Sequence, residues 1–356
     1  MNARPLLLII SLFCWLASNS WGQLPGDVPL SPAWDVAASP RAAGIGGADL
    51  APRQGDGWTM AYNPAAMDTT VPMHIHVANA DFLGMHTGAA ILPLPHRGRR
   101  ASHVGIRFAS YGEFQRTLAN GQSDGTFSGG DYIAQYGTAW TIDSLWRIGV
   151  TGWVGARNLE RVTAGVAGAD FGIVRRSRNG LGAVGMLLSN VGLQEDFSGI
   201  MPEGRLPHHL QIGLTQGFPN APFTFHLRLQ RLETWNLAPE GTYDDGFDPL
   251  TGEVILNDTW VWGDQLARHI AGGVSLKLGP HLRGYVGYNH HVQTSMVAAG
   301  RPGLTGMSFG MRGKFRWFDY SIARSNHHLA GKTTHLGLIF AWPESVDNSG
   351  ASPSKI

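Results

Sequence analysis

Histidine is the residue type in this chain best suited to metal or acid–base chemistry. Fifteen are present, with adjacent pairs at His208-His209, His290-His291 and His327-His328. A metal site needs ligands that converge in space. Neighbouring residues on a strand point to opposite faces, so an adjacent pair on a strand cannot serve one ion. His74, His103, His226, His269 and His335 sit instead at polar positions between apolar ones, the pattern of side chains facing a shared interior. Ser352-Pro353-Ser354-Lys355 has the spacing of an acylating S-x-x-K motif, but it lies in a polar tail with no domain around it. In Gly44-Ile45-Gly46-Gly47-Ala48-Asp49 the third small residue of a dinucleotide loop falls on Asp49, and no strand–helix unit surrounds it. No Ser-His-Asp set can be assigned, because triads are defined by geometry rather than order. The sequence therefore names no catalytic residue, no cofactor and no metal site, and it reads as a non-enzymatic chain.

Recognition chemistry is better marked. The 233–266 stretch holds eight acidic residues, from Glu233 to Asp264, with Arg231 and Arg268 only at its edges. It also carries Trp235, Tyr243, Phe247, Trp260 and Trp262. Acidic charge beside exposed aromatics suits protein recognition, since Trp and Tyr dominate binding hot spots. The expected partner-binding residues are Trp235, Tyr243, Asp244, Asp245, Phe247, Trp260 and Trp262, joined by His327 and His328 in the last connection. The alternative for 233–266 is a loop folded over the structure beneath it. Carboxylates also take Ca²⁺, but Asp244-Asp245-Gly246-Phe247-Asp248 lacks the EF-hand register.

The elements that position these residues are strands. Fourteen stretches between residues 72 and 342 alternate polar and apolar residues. In the clearest, Phe223, Phe225, Leu227 and Leu229 share one face, and Thr224, His226, Arg228 and Gln230 the other. Val104, Ile106 and Phe108 repeat the pattern, as do Leu210, Ile212 and Leu214, and Leu336, Leu338 and Phe340. The stretches 84–94, 166–176 and 181–189 are the weakest. A soluble strand with one buried face shows such alternation too. Its repetition through the chain marks a transmembrane antiparallel β-barrel, about 14 strands with lipid on one face and lumen on the other. A non-helical chain in lipid must close on itself to pair its backbone groups.

The connections sort by parity. Short ones fall at 143–144, 177–180, 218–221, 279–280 and 314–315. Long ones fall at 111–130, 156–165, 190–207, 233–266, 292–303 and 325–332. The first pair is the exception, 81–83 being short and 95–101 longer. Outer-membrane barrels have short periplasmic turns and long surface loops, which puts both termini in the periplasm. Trp140, Trp146, Phe223, Phe318 and Trp342 lie at the strand ends nearest the short turns, where an aromatic girdle meets the lipid boundary.

Composition agrees. The 356 residues carry a formal charge of +1, which gives no reason to expect nucleic acid. Residues 1–22 read as a signal peptide, with Arg4, an apolar run from Leu6 to Leu16 and Ser20-Trp21-Gly22 before Gln23. The single cysteine, Cys14, lies inside it, and Leu12 and Phe13 argue against a lipid anchor there. The mature chain then has no disulfide and no thiolate ligand. Beyond residue 22 no apolar run is long enough for a membrane helix. Residues 23–71 lack alternation and read as a compact Gly-rich segment before the barrel at 72–342; a polar tail, 343–356, follows.

The stretch Ala42-Ala43-Gly44-Ile45-Gly46-Gly47-Ala48 followed by Asn63-Pro64-Ala65 before a barrel resembles the FadL-type outer-membrane superfamily. Asp319-Tyr320-Ser321-Ile322-Ala323 with His328-Leu329-Ala330-Gly331 and Thr334-His335-Leu336-Gly337 resembles its type IX secretion branch, the PorV and PorQ proteins, and PorQ most closely. The resemblance implies a fourteen-stranded barrel entered by an N-terminal periplasmic hatch, whose motif is Gly44, Gly46, Gly47, Asn63 and Pro64. It implies an attachment role, in which the barrel holds a PorZ-like surface protein beside PorU and PorV in the outer-membrane lipid. Departures are the predominance of arginine, with only four lysines among 27 basic residues, and the tail beyond the last strand. The alternative is a FadL-like channel for hydrophobic solutes, and a third reading is an outer-membrane hydrolase.

Overall fold

The computed structural model describes residues 39–53, 57–68, 74–82, 84–201, 203–247, 254–255, 259–295, 303–315, 317–328 and 331–341. The expected signal peptide, Trp342 and the polar tail lie outside these.

Among the described residues fourteen long strands form a closed ring. They are β1 His74–Phe82, β2 Met85–Arg97, β3 Arg100–Thr117, β4 Ser123–Thr141, β5 Trp146–Leu159, β6 Val162–Arg176 and β7 Gly182–Asp196, then β8 His209–Gly217, β9 Phe223–Leu229, β10 Ile270–Lys277, β11 Leu282–Asn289, β12 Met307–Lys314, β13 Phe318–His328 and β14 Gly331–Ala341. Each pairs antiparallel with its sequence neighbours, and β1 pairs with β14 from His74↔Ala341 to Asp81↔Thr334. The weak stretches 84–94, 166–176 and 181–189 are β2, β6 and β7. Both ends of the barrel lie at one rim, called here the near rim.

The two faces divide as the alternation requires. Val77, Ile106, Tyr132, Phe225, Val286, Phe309 and Leu336 are exposed on the outer face, while His103, Thr151, Thr215, His226, Ser308 and His335 are buried inside. In water an apolar outer face of this extent would be an aggregation surface; in a bilayer it is the matched one. The near rim carries the aromatic girdle. Phe223 packs against Phe218 and Phe225, Phe315 against Phe318, and Arg175 lies 5.6 Å over the Trp146 ring.

Four expected long loops are corrected, one of them 190–207, where β7 runs on to Asp196. At 111–130 the ladder continues to Thr117 and resumes at Ser123; at 156–165 only residues 160–161 turn; at 325–332 strand pairing reaches His328↔Gly331. The expected longer link at 95–101 is likewise a two-residue turn, 98–99. The strands β3 and β4 have 18 and 19 residues, whereas crossing the hydrocarbon takes only about 9–11. Their far ends therefore stand in water, where Glu113, Gln115 and Asp124 break the alternation and the ladder continues to Thr117↔Ser123 through two shifts of register. Alternation reports lipid contact, and pairing extends beyond it.

Wall height is uneven. The strands β3 to β7 have 14 to 19 residues, but β8 to β12 only 7 to 9. Over this low side fold the 230–269 connection, with helix α3 (Val261–Arg268), and the 290–306 connection, with helix α4 (His290–Ser295). Two short helices precede them in the chain, both in the N-terminal segment.

That segment fills the lumen. Helix α1 (Pro40–Gly44) starts at Ser39, whose side chain accepts from Ala42 N, with Pro40 at the first helical position. It ends where Gly46 N reaches Ala43 O and Gly47 N reaches Ala42 O, with φ of +69° and +80° at the two glycines. That paired turn needs left-handed backbone, which is why the hatch motif has glycine there. Helix α2 (Gly57–Tyr62) and a 3₁₀ turn (Pro64–Ala66) follow, the latter capped by Asn63. Asn63 accepts from Ala65 N at 3.0 Å and donates to Leu50 O at 2.9 Å, joining the two halves of the segment.

The segment touches the ring on all sides. Helix α1 packs on β11 to β14, α2 on β1 to β3, and the 3₁₀ turn on β4 to β6. Glycine in the inner wall makes the close approach possible. A methyl on Gly149 would lie 2.4 Å from the Pro64 carbonyl carbon, and one on Gly213 2.7 Å from Leu50 Cβ. Polar ties complete the seat. Asp68 pairs with Arg147 at 2.9 Å and Arg176 at 2.7 Å, and Gly46 N donates to Ser308 Oγ at 3.0 Å.

Candidate functional site

The far rim and the cavity below it hold the residues of interest. Trp235, Trp262 and Trp260 form a row, with ring centroids 6.3 Å and 5.6 Å apart. All three are exposed, Trp260 at 71%. The row is anchored at one end, where Trp235 stacks on His269 at 5.3 Å. His269 Nδ1 and Nε2 lie 2.8 Å and 3.1 Å from the carbonyl oxygens of Gln230 and Trp235.

Behind the row, Asp264 organises the cap. Its carboxylate accepts from Arg268 Nε at 2.6 Å, His290 Nε2 at 3.0 Å and the Tyr243 hydroxyl at 2.8 Å. Burial opposes the charge on Asp264, but hydrogen bonds from Arg268, His290 and Tyr243 outweigh it and hold the carboxyl below its usual range. Arg268 is only 2% exposed and also donates to Ser295 Oγ at 3.2 Å. One carboxylate thus fastens α3, α4 and the middle of the acidic connection together.

The expected partner-binding residues divide accordingly. Trp235, Trp260 and Trp262 are brought together at the surface. Tyr243 is half-buried and its hydroxyl donates to Asp264, so it braces the cap from a position beside the row. Asp244 and Asp245 are exposed on the turn beside it. Phe247 lies in a small hairpin, Gly246–Phe247 paired with Val254–Ile255, and its side chain is outside the described residues. His327 and His328 end β13, and their side chains are also outside them. Among the described residues no group of three His, Cys, Asp or Glu is placed to hold a metal ion.

Between cap and hatch lies a cavity of about 350 Å³. Its floor is Ala43, Gly46, Gly47 and Tyr62, and its walls include Arg107, Asp170, Gln211, Arg228, Asn289 and Ser325. Arg231 and His291 close it from the cap side. Burial, reinforced by Arg231, Arg268, His269 and His290 around it, lowers the His291 imidazole to about 4. Sequence reasoning missed Arg228 as more than an alternating polar position, and it passed over Arg231 and Arg268 as the edges of an acidic stretch. The one available signal was the i,i+4 spacing of Asp264 and Arg268 in a helix.

The His291 shift predicts a pH effect. Unfolded, this histidine takes its proton near 6.5; folded, it resists until about 4. Stability from the neutral ring is whole above pH 6.5 and is lost as pH falls towards 4. Amide exchange in α4, corrected for intrinsic rate, is expected to accelerate over that window. His291→Gln should flatten the dependence; an unchanged slope in that variant would assign the effect elsewhere.

No protein-family model matches this chain, and no curated protein matches it. Solved structures do. The CymD monoaromatic hydrocarbon channel aligns over 86% of this chain and 98% of its own, at 14% identity and a TM-score of 0.51. The deltaS2 mutant of the TodX monoaromatic hydrocarbon channel aligns over 86% and 97%, at 11% identity and a TM-score of 0.50. A Pseudomonas aeruginosa FadL homologue aligns over 85% and 98%, at 11% identity and a TM-score of 0.47. At such identities the likeness is one of fold. The chain is a closed fourteen-stranded antiparallel barrel with the fold of these channels.

Proposed function

We propose that this barrel is a non-enzymatic anchor of the outer membrane, holding a protein partner at the cell surface in the attachment stage of type IX secretion. The observation that carries the reading is the row Trp235, Trp262 and Trp260, three large apolar side chains exposed to water on an ordered cap. Such side chains are the usual anchors of protein interfaces. The sequence likeness to PorQ-type proteins supplies the system and the partner, a PorZ-like surface protein working beside PorU and PorV. In this reading the far rim faces outward, and both ends of the barrel lie in the periplasm. The hatch then serves as a fixed plug.

The test is the double variant Trp235→Ser/Trp262→Ser. Loss of one hot-spot tryptophan costs about 2 kcal/mol or more, roughly thirtyfold in affinity. The partner should therefore leave the detergent-extracted barrel and appear in the medium, while the barrel keeps its heat-sensitive gel mobility. Wild-type retention of the partner would sink the reading.

A second reading, a channel for hydrophobic solutes, is favoured by the fold likeness to the hydrocarbon channels. Two features weigh against it. The lumen cavity sets arginine, amide and hydroxyl groups among its apolar surface, and a hydrocarbon there would leave those polar groups unmatched. The hatch also meets the wall all round. A hydrocarbon-uptake defect in a deletion strain whose surface proteins are normal would favour the channel over the anchor.

A further inference from the structure

We propose that the cavity between hatch and cap binds a small anion carrying carboxylate or phosphate groups. Three guanidinium groups, of Arg107, Arg228 and Arg231, line it against a single carboxylate, Asp170. Asp170 is already engaged, accepting from Asn190 N at 2.7 Å and Trp153 Nε1 at 3.3 Å. Granting it entirely to Arg107 leaves two cations with no carboxylate among the described residues that line the cavity.

The surroundings of Arg228 are specific. Its Nη1 donates to the Tyr62 hydroxyl and, at 3.5 Å, to Gln211 Oε1, and its Nη2 donates to Gln230 Oε1 at 2.6 Å. All three partners are neutral. They orient the guanidinium and do not discharge it, and its Nε is buried with no hydrogen-bond partner among the described residues. The group packs flat against the floor, where Gly47 has no side chain to hold it away. Arg231 faces the same space from the cap and forms no ion pair among the described residues.

Backbone strain falls at the same place. Three non-glycine residues among those described have positive φ, and two of them, Asn190 and Arg231, line this cavity. Such conformations persist where surrounding structure enforces them, and they cluster at ligand sites. His291, in the same space, is held neutral by burial and by Arg231 and Arg268, as a region of positive potential requires. A cavity of about 350 Å³ falls at the small end of ligand sites. An oriented guanidinium is the residue chemistry for planar carboxylate and for phosphate. The inference does not depend on the anchoring role, since cap and cavity present opposite faces of the same connection.

The test is calorimetric titration of the purified full chain, in zwitterionic detergent at constant ionic strength, with citrate, inorganic pyrophosphate and glucose. Binding of either anion without glucose supports the site, and which anion binds names the group recognised. Arg231→Gln should weaken that binding at least tenfold, and Arg231→Lys should recover part of it. Arg231 makes no ion pair among the described residues, so the folded barrel should survive the change, as heat-sensitive mobility will show. Arg178→Gln, in a near-rim turn, should bind as wild type. Absence of anion binding, equal binding of glucose, or unchanged affinity in Arg231→Gln would overturn the proposal.

Discussion

Valine in place of Gly287 is expected to drive the hatch from its seat and open the barrel. A side-chain carbon at this position of β11 would lie 2.1 Å from Gly46 N and 2.2 Å from the Ile45 carbonyl carbon. These are backbone atoms, so no rotamer change relieves the contact. The strand cannot retreat, because β11 is paired along both edges, to β10 and β12. Overpacking of an ordinary core costs about 1–3 kcal/mol, and a contact this short exceeds what small shifts absorb. The hatch must move, and it then loses the bonds from Gly46 N to Ser308 Oγ and from Ser308 Oγ to Gly44 O. Wild-type protein in planar bilayers should be nearly silent and the variant conductive, with tryptic cleavage at Arg53 accelerated once its bond to Gly180 O is lost. A silent Gly287→Val barrel with a protected hatch would show that the wall yields instead.

Replacing Asp264 by alanine should unfasten the cap while leaving the barrel whole. Arg268 would keep its burial and lose its carboxylate, and breaking a buried pair from one side costs about 3–5 kcal/mol. His290 and Tyr243 lose their acceptor in the same step. Helices α3 and α4 then keep the Arg268–Ser295 hydrogen bond but lose the carboxylate between them, and the tryptophan row is less firmly presented as a unit. Limited proteolysis should cut the 230–269 connection much faster in the variant, and under the proposed anchoring role partner retention should fall with it. Asp264→Asn, which keeps acceptor and shape without the charge, should lie between. The barrel ladders share no residue with this network except at their ends, so heat-sensitive mobility should not change. Cleavage at the wild-type rate in Asp264→Ala would remove Asp264 as the fastener.

The strands were readable because lipid and lumen impose opposite demands on neighbouring residues. Phe225 beside His226, or Leu336 beside His335, records that alternation directly, and even the weak stretches of β2, β6 and β7 retained enough of it. Strand ends were misplaced where both faces enter water, as at Glu113 and Asp124, since nothing there selects polar from apolar. The exposed tryptophans were readable for a related reason: large aromatic residues amid acidic ones do not describe a buried core. The bond from Tyr243 to Asp264 was not legible, because Asp264 lies on a helix that the acidic stretch concealed.

The sequence by itself determined that this chain crosses a membrane as a barrel with a glycine-rich segment before it, because alternation and small-residue runs are local properties. Only the tertiary structure decided what lies inside. Tyr62, Arg107, Arg228, Arg231 and His291 come from the hatch, two distant strands and two connections, and they share a cavity once the ring closes and the hatch enters. No spacing encodes that meeting, since ring closure and hatch insertion are long-range events whose contacts depend on the whole chain being folded.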